Sequence, residues 1–536
     1  MQTETKVTKI AILGGGPSGL FMFKRLVESG KPNLSIHIFE RKNKLGVGMP
    51  YGIEGANEEH ITNVSDNEIP HIVTSIEEWL ISAPQSIKDK FHIYPENFNE
   101  YKVLPRLLFG EYLSAQFELL KDLAVKNGVD TTIHLESNVI DVIDRADEDK
   151  VDLVVDGLGT MQFDKVIVCT GHNWPKKHEG KIEGYFDAPY PPSKLKLHIN
   201  HAVAIKGSSL TAIDAIRTLS RNNGSFGHHQ DGTYFFKLSE NSPNFKMVMY
   251  TRSGLLPAVR FHLDDTRLHN DSLLTPEEMA AHRAKNRNFL SLDFLFEKNF
   301  KDMFITKDPK FYDLIKDMDI EQFVGMMMER REKLDAFDLL KAEYLEAERS
   351  IKKEQSVYWK EMLAVLSFAM NYPAKYLSAE DMLRLKKVLM PLISIVIAFV
   401  PQSSCRELLA LHNAGVLDIV SVGEDSHVEP IETGGIIYHF KDENGDEQAI
   451  AHNTFVDCVG QPHLSFEDFP FKGLLNGKTI SRAQLQFQSA KEGRKASKTD
   501  KNVTTDTNGN YFLEVPGITI NDNFQVVDEL GCFNSR

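Results

Sequence analysis

A mixed α/β fold is predicted, with two doubly wound lobes, the first discontinuous, and an all-helical insert. Three features of the sequence predict it. Residues 9–26, KIAILGGGPSGLFMFKRL, read as strand, glycine turn and helix. Residues 201–219, HAVAIKGSSLTAIDAIRTL, return to that pattern in degenerate form. Residues 275–400 have helical periodicity and no glycine-spaced turn. At roughly 150 residues per domain, a chain of 536 residues has room for three or four such units. The boundaries read from the sequence are 1–200 for the first part of the first lobe, 201–265 for the second lobe, 266–400 for the insert and 401–536 for the return to the first lobe.

In the opening stretch, residues 9–13 form a short apolar strand and residues 14–19 the turn. Leu20, Phe23, Leu26 and Val27 then share one helical face. Gly30 and Pro32 end the helix, and LSIHIFER alternates as a second strand that finishes at Glu40. Gly14, Gly16 and Gly19 have the G-x-G-x-x-G spacing, and the acid follows about 20 residues later. Each part has a physical task in a dinucleotide-binding, Rossmann-like unit. Gly14 permits the tight turn, Gly16 lets the backbone approach a pyrophosphate, and Gly19 lets helix and strand pack closely. The helix N-terminus favours negative charge, and Glu40 accepts from ribose hydroxyls.

In the second stretch Gly207 holds the first glycine position, while Ser209 and Ala212 hold the second and third. Small residues still allow close approach. The strand in FKMVMYTRSG ends in Thr251, Arg252 and Ser253, with no acid there. An acid would repel a ribose 2′-phosphate, whereas a guanidinium suits one, so NADP is expected over NAD. Gly207, Ser208, Ser209, Thr211, Arg252 and Ser253 are the candidate contacts. Two further apolar strands, in FDKVIVCTGHN and NTFVDCVGQP, open into glycine-containing turns at Thr170–Gly171 and Gly460.

Composition narrows the function classes. Hydrophobic residues make up 42% and charged residues 26%, which is ordinary globular material. A formal net charge of -15 argues against nucleic acid or an anionic membrane as partner. The four cysteines, Cys169, Cys405, Cys458 and Cys532, form no C-x-x-C pair, and suggest a reduced, cytoplasmic protein. The apolar run VLMPLISIVIAFVP is too short to span a bilayer and reads as a buried helix. MQTETKVTK lacks the apolar core of a signal peptide. Histidine pairs such as His198/His201 and His228/His229 come with no carboxylate or cysteine at ligand spacing, so no metal site is expected.

With these residues assembled, the chain resembles bacterial FAD-NAD(P)-binding proteins related to the class B flavin monooxygenases and N-hydroxylases. GGGPSG, GVGMPYG, HITNV, LPRLLFGEYL, VCTGH, GSSLTAIDAIRTL, SGLLPAVR and VPGITINDNFQVV carry the resemblance, in that order along nearly the whole chain. It implies FAD at the first site and NAD(P)H at the second. The implied FAD contacts are Gly14, Gly16, Ser18, Gly19, Glu40, Arg41, Thr170, Gly171 and Gly460. Arg106, in the PR pair, would lie near the flavin, and Asp522, in INDNF, would meet the ribityl chain, although outside the usual setting of that acid.

The resemblance implies NADPH reduction of FAD, then oxygen activation and hydroxylation of a small polar substrate. The open alternatives are a flavin reductase serving another acceptor and a non-catalytic flavin-binding sensor. The insert is the expected lid or substrate region, with Arg260, His262, Lys360 and Asn371 as candidates to line a pocket. No catalytic acid or base is singled out, because the flavin supplies the hard chemistry. The polar stretch 489–510 is expected to be a mobile surface loop.

Overall fold

The computed structural model describes residues 7–171, 174–461 and 464–536. His172, Asn173 and Pro462, at the ends of two predicted strand-turn motifs, lie outside them. In the first lobe, β1 (Thr8–Leu13) leads through helix α1 (Pro17–Glu28) to β2 (Leu34–Phe39). Helix α2 (Arg106–Lys126) precedes β3 (Asp130–His134), and β4 (Lys165–Val168) closes a parallel sheet of order β3-β2-β1-β4. β2 is buried on both faces rather than alternating. A parallel sheet is covered on both sides, so its central strands are apolar throughout. Gly19, Leu20, Phe23 and Val27 are the buried face of α1.

The second lobe begins earlier than its predicted boundary. β5 (Tyr185–Phe186), β6 (Ala202–Lys206), β7 (Lys246–Thr251), β8 (Leu417–Ser421) and β9 (Thr454–Asp457) form a parallel sheet of order β5-β9-β6-β7-β8. Helix α3 (Leu210–Asn223) follows β6. β8 and β9 correct the expectation that residues 401–536 all return to the first lobe: the chain first completes the second sheet. The return comes later, where Phe471, Leu474 and Ile480 pack with Ala11, Leu13 and Phe39. This register was hidden because each strand end looks alike until its neighbour is known.

The insert is helical, with α4 (Ile320–Glu332), α5 (Ala336–Lys353) and α6 (Tyr358–Ala369) among its helices. Asp335 caps α5 by accepting from the Phe337 and Asp338 amides. Met390–Val396 continues a helical run from Ala379 through a π-helical turn at Leu385–Leu389, and Pro391 follows that turn. Phe296, Phe300 and Phe323 of the insert share one core with Val203, Ile205 and Met247 of the second lobe, so the two regions are packed as one body. Helix α7 (Gln402–Asn413) lies between insert and second sheet. Residues 489–510 depart from the predicted loop: Ala490–Ala496 is a helix and Val503–Thr505 a strand of a three-stranded sheet. A Cβ on Gly493 would stand 2.4 Å from Tyr511 Cβ, and this close approach fixes the helix. Among the described residues, no helix is long and apolar enough to cross a membrane.

Candidate functional site

The first glycine turn borders a cleft of about 260 Å³, with Gly14, Gly16, Ser18, Glu40, Arg41, Thr170 and Gly171 on its walls. All seven were read from the sequence. Gly14 has φ +106°, and a Cβ there would meet the Cys169 carbonyl oxygen at 2.3 Å. Gly19 lies behind the wall. Its missing side chain lets the helix approach Gly14 O, 2.0 Å from where a Cβ would stand. The N-cap position of α1, Gly16, has no side chain to occupy the first-turn amides, which leaves them available to an anion. Glu40 is 7% exposed. Its carboxylate accepts from the Gly15 amide at 2.8 Å and the Lys42 amide at 2.9 Å, so the acid is held against the turn it serves.

Sequence reasoning missed the opposite wall of Gly48, Met49, Pro50, Tyr51 and Glu54, and also missed Lys42. The signal was the glycine spacing of GVGMPYG. The Gly46 amide donates to Gly15 O at 2.7 Å, and a Cβ on Gly46 would stand 2.6 Å from the Leu113 carbonyl. Gly110 likewise lets α2 approach the Tyr51 carbonyl. Lys42 and Glu54 form an ion pair across the cleft rim. Burial pushes the Tyr51 phenol and the Cys169 thiol above their ordinary values, the nearby Arg106 opposing the shift at Tyr51.

The second turn has the same construction. Gly207 has φ +104°, and its amide donates to Tyr250 O at 2.8 Å, as that of Gly14 does to Phe39 O at 2.8 Å. Cys458 stands to β6 as Cys169 stands to β1: each donates its amide to the end of the central strand, at 2.9 and 2.8 Å. Leu13 pairs with Phe39, and Lys206 with Tyr250. By that register Thr251 occupies the position of Glu40, and Arg252 that of Arg41. Ser209 is the N-cap of α3 and makes no capping hydrogen bond, while Thr211 lies in the first turn. The Ser208 hydroxyl donates to Leu255 O at 2.8 Å, bracing the turn. Arg252 and Ser253 are exposed, and among the described residues the Arg252 guanidinium has no hydrogen-bond or ion-pair partner.

Several predicted positions fall elsewhere. Gly460 follows β9 beside the Gly207 turn and does not line the first cleft. Asp522 is on an exposed turn, paired with Lys375 of the insert and away from the cleft walls. Arg106 does not line the cleft: its guanidinium is turned to the second lobe and binds Asp214 of α3 at 2.5 Å. In the insert, Lys360 is 3% exposed and bound to Glu343 at 2.9 Å and Glu346 at 2.7 Å. Arg260 is buried and tied to Ser65, Glu68 and Asn63 O of the first lobe. Both are spent on internal partners. His262 is buried against Tyr101, and Asn371 is exposed. The four do not converge on one pocket.

Fold and cleft together define a protein with two parallel sheets, each with a glycine turn that leads from a central strand into a helix. Residues 11–173 match the family model described as FAD-NAD(P)-binding, so the chain carries such a domain. FAD and NAD(P)H, the cofactors expected from the sequence, are the ones that description prints. Residues 275–397 match the model of the YdhS-like middle domain, which coincides with the helical insert. Over 489 residues the chain is 28% identical to the uncharacterized protein YdhS of Escherichia coli (strain K12), covering 89% of this chain and 86% of that one. Two solved structures are more distantly similar. The ornithine N-hydroxylase of Kutzneria sp. 744 has 11% identity and a TM-score of 0.44, covering 98% of this chain and 89% of that one. The cadaverine monooxygenase DfoA of Erwinia amylovora has 10% identity and a TM-score of 0.46, covering 98% and 86%.

Proposed function

We propose that the chain is an FAD-dependent, NADPH-using oxidoreductase that acts as a single-component monooxygenase on a small polar substrate. FAD occupies the first cleft and NADPH the second turn. The observation that carries this reading is one turn built twice, with the charge changed at the strand end: the buried Glu40 of the first is Thr251 in the second. The residues present fit the two cofactors. The first cleft is smaller than a whole small-molecule site, so it takes the pyrophosphate and the adjoining adenosine ribose of an extended dinucleotide. The α1 amides meet the pyrophosphate, and Glu40 accepts from the adenosine ribose. At the second turn, Thr251 leaves the ribose position free of negative charge, and Arg252 supplies a cation one residue on. When bound, FAD supplies hydride acceptance and oxygen activation. The protein's part is to hold, orient and shield the reacting groups.

The test is anaerobic reduction of the FAD-loaded protein with NADPH, followed by a pulse of oxygen. A spectral species distinct from both reduced and oxidised flavin supports the monooxygenase. Direct return to oxidised flavin with stoichiometric hydrogen peroxide refutes it in favour of a flavin reductase. FAD that neither nicotinamide nucleotide reduces refutes both and leaves a flavin-binding sensor.

A further inference from the structure

Helix α3 begins at the second glycine turn, and its faces are divided. Arg217 and Arg221, one turn apart, both bind Glu407 of α7 within the second lobe. Asp214 and Thr218, also one turn apart, point instead at the first lobe. Asp214 is 4% exposed. It accepts from Arg106 at 2.5 Å and from the Tyr190 hydroxyl at 2.8 Å. Thr218 donates to Glu59 at 2.7 Å. His60 is fully buried, and its Nδ1 accepts from the Asn57 amide at 3.1 Å. The ring proton is therefore on Nε2, directed at Thr218 Oγ1 at 3.1 Å and Asp214 O at 3.2 Å. Arg106 is itself anchored, its Nε donating to Ile61 O and its amide to His60 O.

We infer that this buried cluster is a clamp that sets where the second nucleotide is presented to the first, with Asp214 and Arg106 as positioning residues for hydride delivery. Three arguments carry it. The helix that is clamped is the one whose N-terminus faces the second nucleotide. The first-lobe partners, Glu59, His60 and Arg106, flank the two paired strands Ile61–Ser65 and Val103–Pro105, at the end next to the cleft wall at Tyr51. And a buried charged pair is a costly way to add stability, but it admits one geometry, because a slipped register leaves a charge without its partner. This inference rests on the proposed reading of the two turns.

The experiment compares wild type, Asp214→Asn, Tyr190→Phe and Arg221→Ala, each loaded with FAD. FAD content, the NADPH dissociation constant, the limiting rate of flavin reduction, and amide exchange over residues 57–64 and 210–223 without nucleotide are measured. In Asp214→Asn, FAD content and the NADPH constant stay within about twofold, while reduction slows by about tenfold or more through misplacement of the nucleotide. Tyr190→Phe, the milder variant, slows it by about threefold. Exchange rises over 57–64 in both. Arg221→Ala, which loosens the other face of the same helix, leaves the reduction rate unchanged. Wild-type rates and exchange in Asp214→Asn, slowing matched by FAD loss, or equal slowing in Arg221→Ala would each overturn the inference. If neither nucleotide reduces the wild type, the functional reading fails, and the exchange arm then decides the clamp: raised exchange over 57–64 supports it, and unchanged exchange overturns it.

Discussion

Replacing Arg252 with alanine separates the two nicotinamide nucleotides. Arg252 follows Thr251 at the end of β7, where the paired register of the first lobe has Arg41 after Glu40. It is exposed and has no partner among the described residues, so its loss leaves no buried charge. A charge-assisted hydrogen bond to a phosphate contributes about 1.5–3 kcal/mol. Arg252 is exposed, and solvent screening places the contact at the low end, about 1.5 kcal/mol. That is roughly a tenfold rise in the NADPH constant, since each 1.4 kcal/mol is about tenfold. NADH carries no 2′-phosphate, and its constant should hardly move. Flavin reduction followed at varied NADPH and NADH, with wild type and variant side by side, measures both constants. Equal losses for the two nucleotides would show that Arg252 supports the fold instead of reading the phosphate, and a wild type that prefers NADH would refute the reasoning at its root.

Gly16→Val should abolish FAD retention in a protein that still folds: even a Cβ would stand 3.0 Å from Gly48 Cα, so the branched side chain forces turn and cleft wall apart, which the flavin absorbance of the purified variant reports. Lys360→Met should lower stability by about 1.5 kcal/mol, since Glu343 loses one of two buried cations and keeps Arg331 at 2.7 Å, with FAD content unchanged; denaturant unfolding of the holoprotein measures it, and an unchanged midpoint would contradict the pairing. Burial holds His60 below its ordinary value, so the unfolded chain takes up this proton at a higher pH than the folded one. Stability from this group is therefore complete above about pH 6.5 and falls as the pH drops below it, by at most about 1.4 kcal/mol per unit. Melting temperatures between neutral and mildly acid pH should fall less steeply in His60→Gln, and an identical slope would exclude His60 as a source.

What was legible in the sequence was what local geometry dictates. Gly14, Gly16, Ser18, Glu40, Arg41, Thr170 and Gly171 were readable because a strand, a turn and a helix N-terminus must place them on one edge of the sheet, and they meet in the cleft. The helical character of the insert was readable too, since residues 275–400 have helical periodicity and no nucleotide turn, and helices form there. What depended on distant pairing was not. Tyr51 and Glu54 join the cleft only because Gly46 and Gly110 let two segments touch. β8 and β9 looked like a return to the first lobe until their pairing with β7 and β6 was known. Arg106 was read by its neighbours in sequence, but its guanidinium answers to Asp214, 108 residues away. Lys360 looked like a pocket cation because a buried ion pair leaves no periodic trace.

The most direct measurement of the central claim is stopped-flow absorbance of the FAD-loaded protein mixed anaerobically with NADPH. The account predicts that the flavin bleaches fully within turnover time, saturates with NADPH, and responds far more weakly to NADH at equal concentration. A flavin that stays oxidised under both nucleotides, or a protein that takes up no FAD, would contradict it.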